Sequence, residues 1–327
     1  MTKNKRIMLV MLLFTFLSVV AALNFGAVSI DMSEVLLCLK HSCSSETSNV
    51  VIWEIRLPRI LVALVAGMGL AIAGAILQNT TGNPLADPYL FGIVAGAGLG
   101  ASVANLSFVG NLSLTLPLAA FLGALFSVLI VIVIAKAINR MEQLILVGVA
   151  VSFMLSALMQ FILFLGEPFA SNRIIFWMMG SFSQVELKHF YVIGLVLIAV
   201  LIVVVALHRH IDALLLGDDN ARSLGIDANK LRLTMFALCA AITSIIVAYC
   251  GGIGFVGLMI PHIVRQFVGV TTLKLVLGCA LVGGCFLIWV DVLARTLMPH
   301  VEIPLGIMTS TIGSIFFLFI LIKSRNA

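Results

Sequence analysis

The side chains that could carry catalytic or metal chemistry are few and isolated in this sequence. The stretch GSFS at 180–183 lacks the second glycine of a serine-nucleophile motif, and only His189 lies near it. His208 and His210 are two residues apart and therefore point to different sides of a helix, while His262 follows a proline and fits helix packing better. We therefore expect no catalytic residue and no metal site in this chain.

Charged residues are nearly absent from the centres of the apolar segments. A proton- or sodium-driven transporter needs acidic groups near the membrane midplane to bind and release its ion, so their absence disfavours that class. The chain also has no GxxxxGK[ST] phosphate loop, which indicates that it does not hydrolyse ATP. The energy for any transport is therefore expected to come from a separate subunit.

The elements that would position functional residues are long apolar segments. Of the 327 residues, 62% are hydrophobic and 10% charged, with a mean hydropathy of +1.21, whereas a soluble domain has about 25% charged residues. Ten segments are apolar enough to cross a membrane as helices: 7–28, 57–78, 89–107, 114–135, 143–165, 190–207, 231–250, 253–268, 273–291 and 303–322. They predict an all-α integral membrane protein with one transmembrane domain over residues 1–327.

The distribution of basic residues predicts the orientation. The first apolar run is longer than that of a signal peptide and lacks a small-residue cleavage site, so we interpret it as a retained helix. With both termini in the cytoplasm, 13 of the 19 lysines and arginines fall on the cytoplasmic side. Cytoplasmic loops of bacterial membrane proteins are richer in these residues than the loops outside. The net charge of +5 then reflects topology and requires no nucleic acid.

The six cysteines give no metal-ligand spacing, and four of them lie in apolar segments, where cysteine behaves as a small hydrophobe. Cys38 and Cys43 would face the outside. Both a local disulfide and a pair of free thiols are compatible with their position.

Glycines and prolines mark close helix packing and two irregular segments. Gly67, Gly69 and Gly74 concentrate in one apolar segment, and Gly92, Gly96 and Gly100 follow at four-residue spacing in the next, where small residues permit tight helix contacts in lipid. The stretches QNTTGNPLADPYLFG at 78–92 and GGIGFVGLMIPHIVR at 251–265 interrupt apolar segments in corresponding parts of two halves. Such breaks suggest an internal repeat with a transport pathway at its interface.

The polar stretch at about 208–230 contains LLLGDDNARSLGID. Gly217 breaks the preceding element, Asp218 is a natural N-cap followed by Asp219, and Gly225 suits a left-handed helix end. The pattern predicts a helix of about two turns outside the membrane, with Ala221 and Leu224 on one face. A solvated connection and a docking element for a cytoplasmic partner are the two interpretations.

Taken together, four blocks resemble the transmembrane permeases of bacterial type II ABC importers, the FecCD-like permeases for iron-siderophores, haem and cobalamin. The blocks are the 46 residues from RLPR at 56 to GLGA at 101, LGDDNARSLGID, GGIGFVGLMIPHIVR and EIPLGIMTSTIG. The resemblance implies ten helices per subunit, a homodimer, and two cytoplasmic ATPase subunits that hold ATP and Mg. It also implies a periplasmic binding protein docked outside, and no cofactor in this chain.

The resemblance assigns Arg56, Arg59 and Arg295 to pockets that receive glutamates of the binding protein, with Pro58 in the first helical turn. Anchoring to phospholipid headgroups is the alternative role for these arginines.

The resemblance also assigns cytoplasmic and pathway residues. The stretch with Asp218, Asp219, Ala221, Leu224 and Gly225 matches the element that couples the permease to the ATPase. Asn83 and Leu85 match the cytoplasmic gate. The residues implied to line the pathway are Ser152, Met154, Ser156, Met159, Thr309 and Ser310.

These inferences combine into one expected function. The chain is expected to be the permease subunit of an ATP-driven importer in the bacterial inner membrane. It would move a metal chelate from the periplasm to the cytoplasm by alternating access, with an iron-siderophore or haem as the preferred candidate. A cobalamin or molybdate permease of the same family is one alternative. An ion-coupled secondary transporter is the other.

Overall fold

The computed structural model describes residues 3–26, 28, 30–40, 42–107, 112–138, 144–298 and 300–325, and the described residues form helices and connecting turns without strands. The helices are Lys3–Ala22 (α1), Met32–Leu39 (α2), Glu46–Val50 (α3), Leu57–Thr81 (α4), Ile93–Ser107 (α5), Leu112–Ile138 (α6), Leu144–Leu165 (α7), Pro168–Met178 (α8), Leu187–Leu214 (α9), Asp218–Ser223 (α10), Ala228–Cys250 (α11), Val256–Val268 (α12), Thr272–Thr296 (α13) and Leu305–Arg325 (α14).

The apolar helices confirm the all-α membrane class. Within the described residues, six helical segments are long and apolar enough to cross a membrane, and four shorter apolar helices correspond to α1, α5, α12 and α14. Each of the ten predicted segments overlaps one of these helices. The orientation of the termini stays a prediction.

Helix α4 lies at the centre of the fold. The helical segment that contains it is long enough to cross a membrane, and 83% of its most apolar 18-residue stretch is buried. Helix α4 packs against α9, α11, α12 and α13. A Cβ added at Gly67 would lie 2.2 Å from the carbonyl oxygen of Gly283, and one at Gly74 would lie 1.9 Å from that of Gly257. The predicted role of these glycines in close helix packing is thus confirmed.

The entrance to α4 differs from the predicted start of a helix at Pro58. The stretch before it is also helical, because α3 continues through a π-helix at Val51–Arg56 directly into α4. Pro58 has no N–H to donate, and the wider π-helical turn ends just before it, with the N–H of Leu57 bonded to the carbonyl of Ile52. Helices α2 and α3 and this turn therefore precede α4 in the chain.

The two irregular segments meet each other. Helix α4 ends at Gly82 with a φ of 64°, and a 3-10 helix at Pro88–Phe91 precedes α5. Residues 251–254 are not helical, and the N–H of Ile253 donates to the hydroxyl of Tyr89 at 2.9 Å. Both breaks were predicted from glycine and proline, and their contact joins the α4–α5 connection to the α11–α12 connection.

Of the two interpretations left open for Cys38 and Cys43, the structure has the disulfide. It links Cys38 in α2 to Cys43, five residues later.

Candidate functional site

Five charged side chains gather where α4, α13 and the segment before α14 meet, and we call them the outer cluster: Arg56, Arg59, Asp291, Arg295 and Glu302. The Nε of Arg59 donates to Asp291 at 2.8 and 3.1 Å, and its Nη1 and Nη2 donate to Glu302 at 2.8 and 3.0 Å. The side chain of Asp291 is 1% exposed, whereas that of Glu302 is 45% exposed. All three nitrogens of Arg59 are therefore paired within the chain.

The other two arginines of the outer cluster are also paired. Arg56 is 3% exposed, and its Nη1 donates to the carbonyl of Leu23 at 2.6 Å while its Nη2 donates to the carbonyl of Val28. The Nη2 of Arg295 donates to the carbonyl of Ala22 at 3.1 Å, and its Nε lies 3.4 Å from Asp291.

Arg56, Arg59 and Arg295 thus lie in internal contacts in this structure, and their role in docking the binding protein stays a prediction. Backbone carbonyls after α1 accept from Arg56, and Arg59 donates to both acids. Arg295 donates to the carbonyl of Ala22, whereas its buried Nε makes no hydrogen bond. Asp291 and Glu302 were not among the predicted site residues. One local signal existed, because Asp291 and Arg295 are four residues apart on one helix.

At the other end of α4, the short helix α10 begins one residue earlier than predicted. Gly217, with a φ of 98°, is the N-cap, so Asp218 is the first helical residue. The C-terminal end is as predicted: Gly225 has a φ of 75°, its N–H bonds to the carbonyl of Arg222, and that of Ile226 bonds to the carbonyl of Ala221. These two bonds form a Schellman motif, which satisfies the last carbonyls of the helix.

The surface of α10 also differs from the expected one. Ala221 is fully buried against the chain, so it does not share an exposed face with Leu224, which is 67% exposed. The nearby Leu216 is also 67% exposed, and Asp219 is exposed between them. The apolar surface that remains for a partner is therefore Leu216 and Leu224 rather than Ala221 and Leu224.

Asp218 is held by an arginine that the sequence analysis did not single out. Nη1 and Nη2 of Arg232 in α11 donate to the two carboxylate oxygens of Asp218 at 2.8 and 2.6 Å. The Nε of Arg232 donates to the carbonyl of Thr80 in the last turn of α4 at 2.9 Å. The hydrogen bonds from Arg232 keep the pKa of Asp218 below its ordinary value, so the pair stays charged at neutral pH.

Further polar side chains secure the C-terminal end of α4. The side-chain nitrogen of Asn79 donates to the carbonyl of Val270 and to the hydroxyl of Thr272, both at 3.1 Å. Arg265 donates to the amide oxygens of Gln78 and Asn79 at 3.2 and 3.3 Å. These bonds connect α4 to α12 and α13, so its end is held from several sides.

The predicted gate residues lie directly after this end. The side-chain oxygen of Asn83 accepts the N–H of Leu85 at 2.9 Å, and its carbonyl accepts the N–H of Ala86 at 3.1 Å. Leu85 is 55% exposed, whereas Asp87 is buried and caps the 3-10 helix through the N–H of Tyr89. The loop is thus a compact hydrogen-bonded turn in which the side chain of Leu85 is exposed.

The predicted pathway residues fall into two groups. Ser152, Ser156 and Ser310 are half-buried and Met154 is 47% exposed, so they offer surface on α7 and α14. Met159 is 7% exposed and Thr309 is fully buried, so neither presents surface to a pathway in this conformation. The Sδ of Met159 instead fills the space beside Gly98, where an added Cβ would lie 2.4 Å from it.

Among the described residues, no three His, Cys, Asp or Glu side chains are grouped so that they could hold a metal ion.

Comparison with known proteins identifies the family of this chain. The profile of the FecCD transport family matches residues 11–323. A protein of Methanocaldococcus jannaschii named as an ABC transporter permease is 36% identical over 335 residues, which cover 98% of this chain and 96% of that protein. The vitamin B12 import system permease protein BtuC of Escherichia coli is 38% identical over 277 residues, 84% of each chain.

Solved structures agree with this class. A structure described as an inward-facing conformation of a metal-chelate type ABC transporter is 28% identical, with a TM-score of 0.87 over 98% of this chain and 99% of that one. PsaBC from Streptococcus pneumoniae has a TM-score of 0.59 at 15% identity, over 84% of this chain and 93% of that one, and supports the fold alone.

These findings confirm the resemblance to type II ABC importer permeases. With its apolar helices, the protein is a multi-pass protein of the inner membrane. The chain belongs to the FecCD transport family.

Proposed function

We propose that this chain is the permease subunit of an ATP-driven importer, which passes a metal chelate into the cytoplasm by alternating access. ATP and Mg bind to two separate ATPase subunits, and a second copy of this chain completes the pathway. The observation that carries the proposal is the capped short helix α10 with exposed Leu216 before it and exposed Leu224 after it, a surface that suits a partner on the cytoplasmic side. Residues 1–327 act as one transmembrane domain.

The substrate class follows from the relatives. One solved relative is described as a metal-chelate type transporter and another relative as a vitamin B12 import permease. An iron-siderophore or haem is our first proposal. Cobalamin is the second candidate, favoured by 38% identity to BtuC. Nothing on the described surfaces supports molybdate, and membership of the FecCD transport family speaks against ion-coupled transport.

The proposed contact with the ATPase is tested by Leu224→Asp. An added carboxylate at an exposed apolar contact leaves the fold unchanged but must be desolvated in the interface, which costs about 2 kcal/mol or more for a central contact. Copurification of the ATPase with the Leu224→Asp variant is expected to fall by about tenfold or more.

Asn229→Asp is the matched control, because it adds the same charge five residues away, at an exposed position in the first turn of α11, where an acid suits the helix. ATPase recovery equal to wild type in both variants would show that α10 is not the contact.

On the outside, we propose that acidic groups of the binding protein dock over the outer cluster. Its three arginines exceed its two acids, so the cluster keeps one net positive charge. Glu302 is the exposed member and covers Nη1 and Nη2 of Arg59. A partner carboxylate therefore reaches Arg59 by taking the place of Glu302.

Removing the charge of Glu302 is then expected to strengthen docking. An exposed ion pair is worth about 0.2–1 kcal/mol, so Glu302→Gln should lower the dissociation constant of the binding protein by up to about fivefold. Glu54→Gln, at an exposed position in the π-helix before α4, controls for the loss of one negative charge. Weaker binding by Glu302→Gln, or an equal gain in both variants, would contradict the displacement of Glu302.

A further inference from the structure

A single guanidinium joins the candidate ATPase contact to the end of the central helix. Arg232 uses both Nη atoms for the carboxylate of Asp218 and its Nε for the carbonyl of Thr80. The guanidinium is planar, so its donors have fixed relative positions and its two partners are held in one geometry. Asp218 is the first residue of α10, and Thr80 is in the last turn of α4.

The position of the Thr80 carbonyl allows a movement of α10 to reach the turn that follows α4. This carbonyl is one of the last four carbonyls of α4, which have no partner within the helix. Gly82 follows two residues later with a left-handed φ of 64°, and the turn with Asn83 and Leu85 begins there. A displacement of the Thr80 carbonyl therefore displaces the start of the gate turn.

We propose that Arg232 is the residue that transmits the movement of α10 to the cytoplasmic gate, by binding Asp218 and the Thr80 carbonyl at the same time. This rests on the proposed function, because α10 moves only if an ATPase engages it. Arg232 is 19% exposed and reaches between the elements from α11, so it acts on the gate through α4 and touches no substrate.

The test separates transmission from general stabilisation. Arg232→Lys keeps the positive charge near Asp218 but replaces the fork by a point charge that cannot hold both partners in one plane. Leu85→Cys serves as a reporter on the gate, because Leu85 is 55% exposed. The four free cysteines of the chain are buried. The rate of labelling by a water-soluble maleimide is measured for the complex with its ATPase, with and without ATP.

In the Leu85→Cys parent, ATP is expected to change the labelling rate by about fivefold or more, the size of an ordinary allosteric coupling. In Leu85→Cys with Arg232→Lys, the ratio should fall to near one while the ATPase remains bound. Arg209→Lys, the same chemical change at an exposed position near the cytoplasmic end of α9, should respond like the parent. An unchanged response of Arg232→Lys would overturn the proposal.

Two further outcomes are decisive. If Arg232→Lys does not assemble, Asp218→Ala removes the acceptor of the same link from α10, and a response equal to the parent would overturn the proposal. If the parent itself binds no ATPase, the proposed function fails and the inference fails with it. If the parent binds the ATPase and the labelling rate of Leu85→Cys with Arg232→Lys does not respond to ATP, the result supports both the proposed function and the role of Arg232.

Discussion

Asp291→Ala is expected to lower the free energy of unfolding by about 3–5 kcal/mol, the cost of removing one partner from a buried ion pair. Asp291 is 1% exposed and accepts hydrogen bonds from Arg59, and the Nε of Arg295 lies 3.4 Å from it. Without the carboxylate, two buried guanidinium groups share only Glu302 and backbone carbonyls. The measurement is unfolding of the purified chain in mixed detergent micelles, followed by circular dichroism as the denaturing detergent increases.

Glu302→Ala is the matched control, since it removes the other acid that pairs with Arg59. Because the Glu302 side chain is 45% exposed, its loss should cost no more than about 1 kcal/mol. Equal destabilisation by the two variants would show that burial of the pair is not what makes Asp291 important.

The second large effect is expected at Gly74. A Cβ there would lie 1.9 Å from the carbonyl oxygen of Gly257 and 2.4 Å from its carbonyl carbon, so backbone meets backbone and no side chain can move aside. Gly74→Ala should therefore force α4 and α12 apart and destabilise the chain by about 3 kcal/mol or more, at the upper end of over-packing. Reduced yield of monodisperse protein and a lower unfolding midpoint would report it.

Gly194→Ala in α9 provides the control for this substitution. No atom lies within 4 Å of a Cβ added at Gly194, and alanine is favoured over glycine in a helix interior by about 1 kcal/mol. We expect Gly194→Ala to be neutral or slightly stabilising. A Gly74→Ala chain as stable as Gly194→Ala would contradict the packing of α4 against α12.

The apolar helices and their glycine contacts could be predicted from the sequence because both depend on local patterns. A run of about 20 apolar residues is sufficient to predict a crossing helix, and small residues at four-residue spacing predict a close face. The helical stretch at 46–56 was missed, because its first four residues are polar and a proline follows it. Only the structure shows that a π-helical turn carries the helix past Pro58.

The polar partners could not be predicted, because they are distant in the sequence. Arg59 pairs with Asp291 across 232 positions and with Glu302 across 243, and Arg232 reaches the carbonyl of Thr80 across 152. No periodicity relates such residues. Helix α10 illustrates both cases: Gly225 ends it as predicted, but Asp218 does not cap it, because Arg232 binds its carboxylate.

The central claim is that this chain works with a separate ATPase, and native mass spectrometry tests it most directly. The chain is expressed with the proteins encoded beside it and purified in detergent. Two copies of the chain bound to two ATPase subunits are the result that the proposal predicts. A homo-oligomer without ATPase that moves substrate along an ion gradient in liposomes would contradict it.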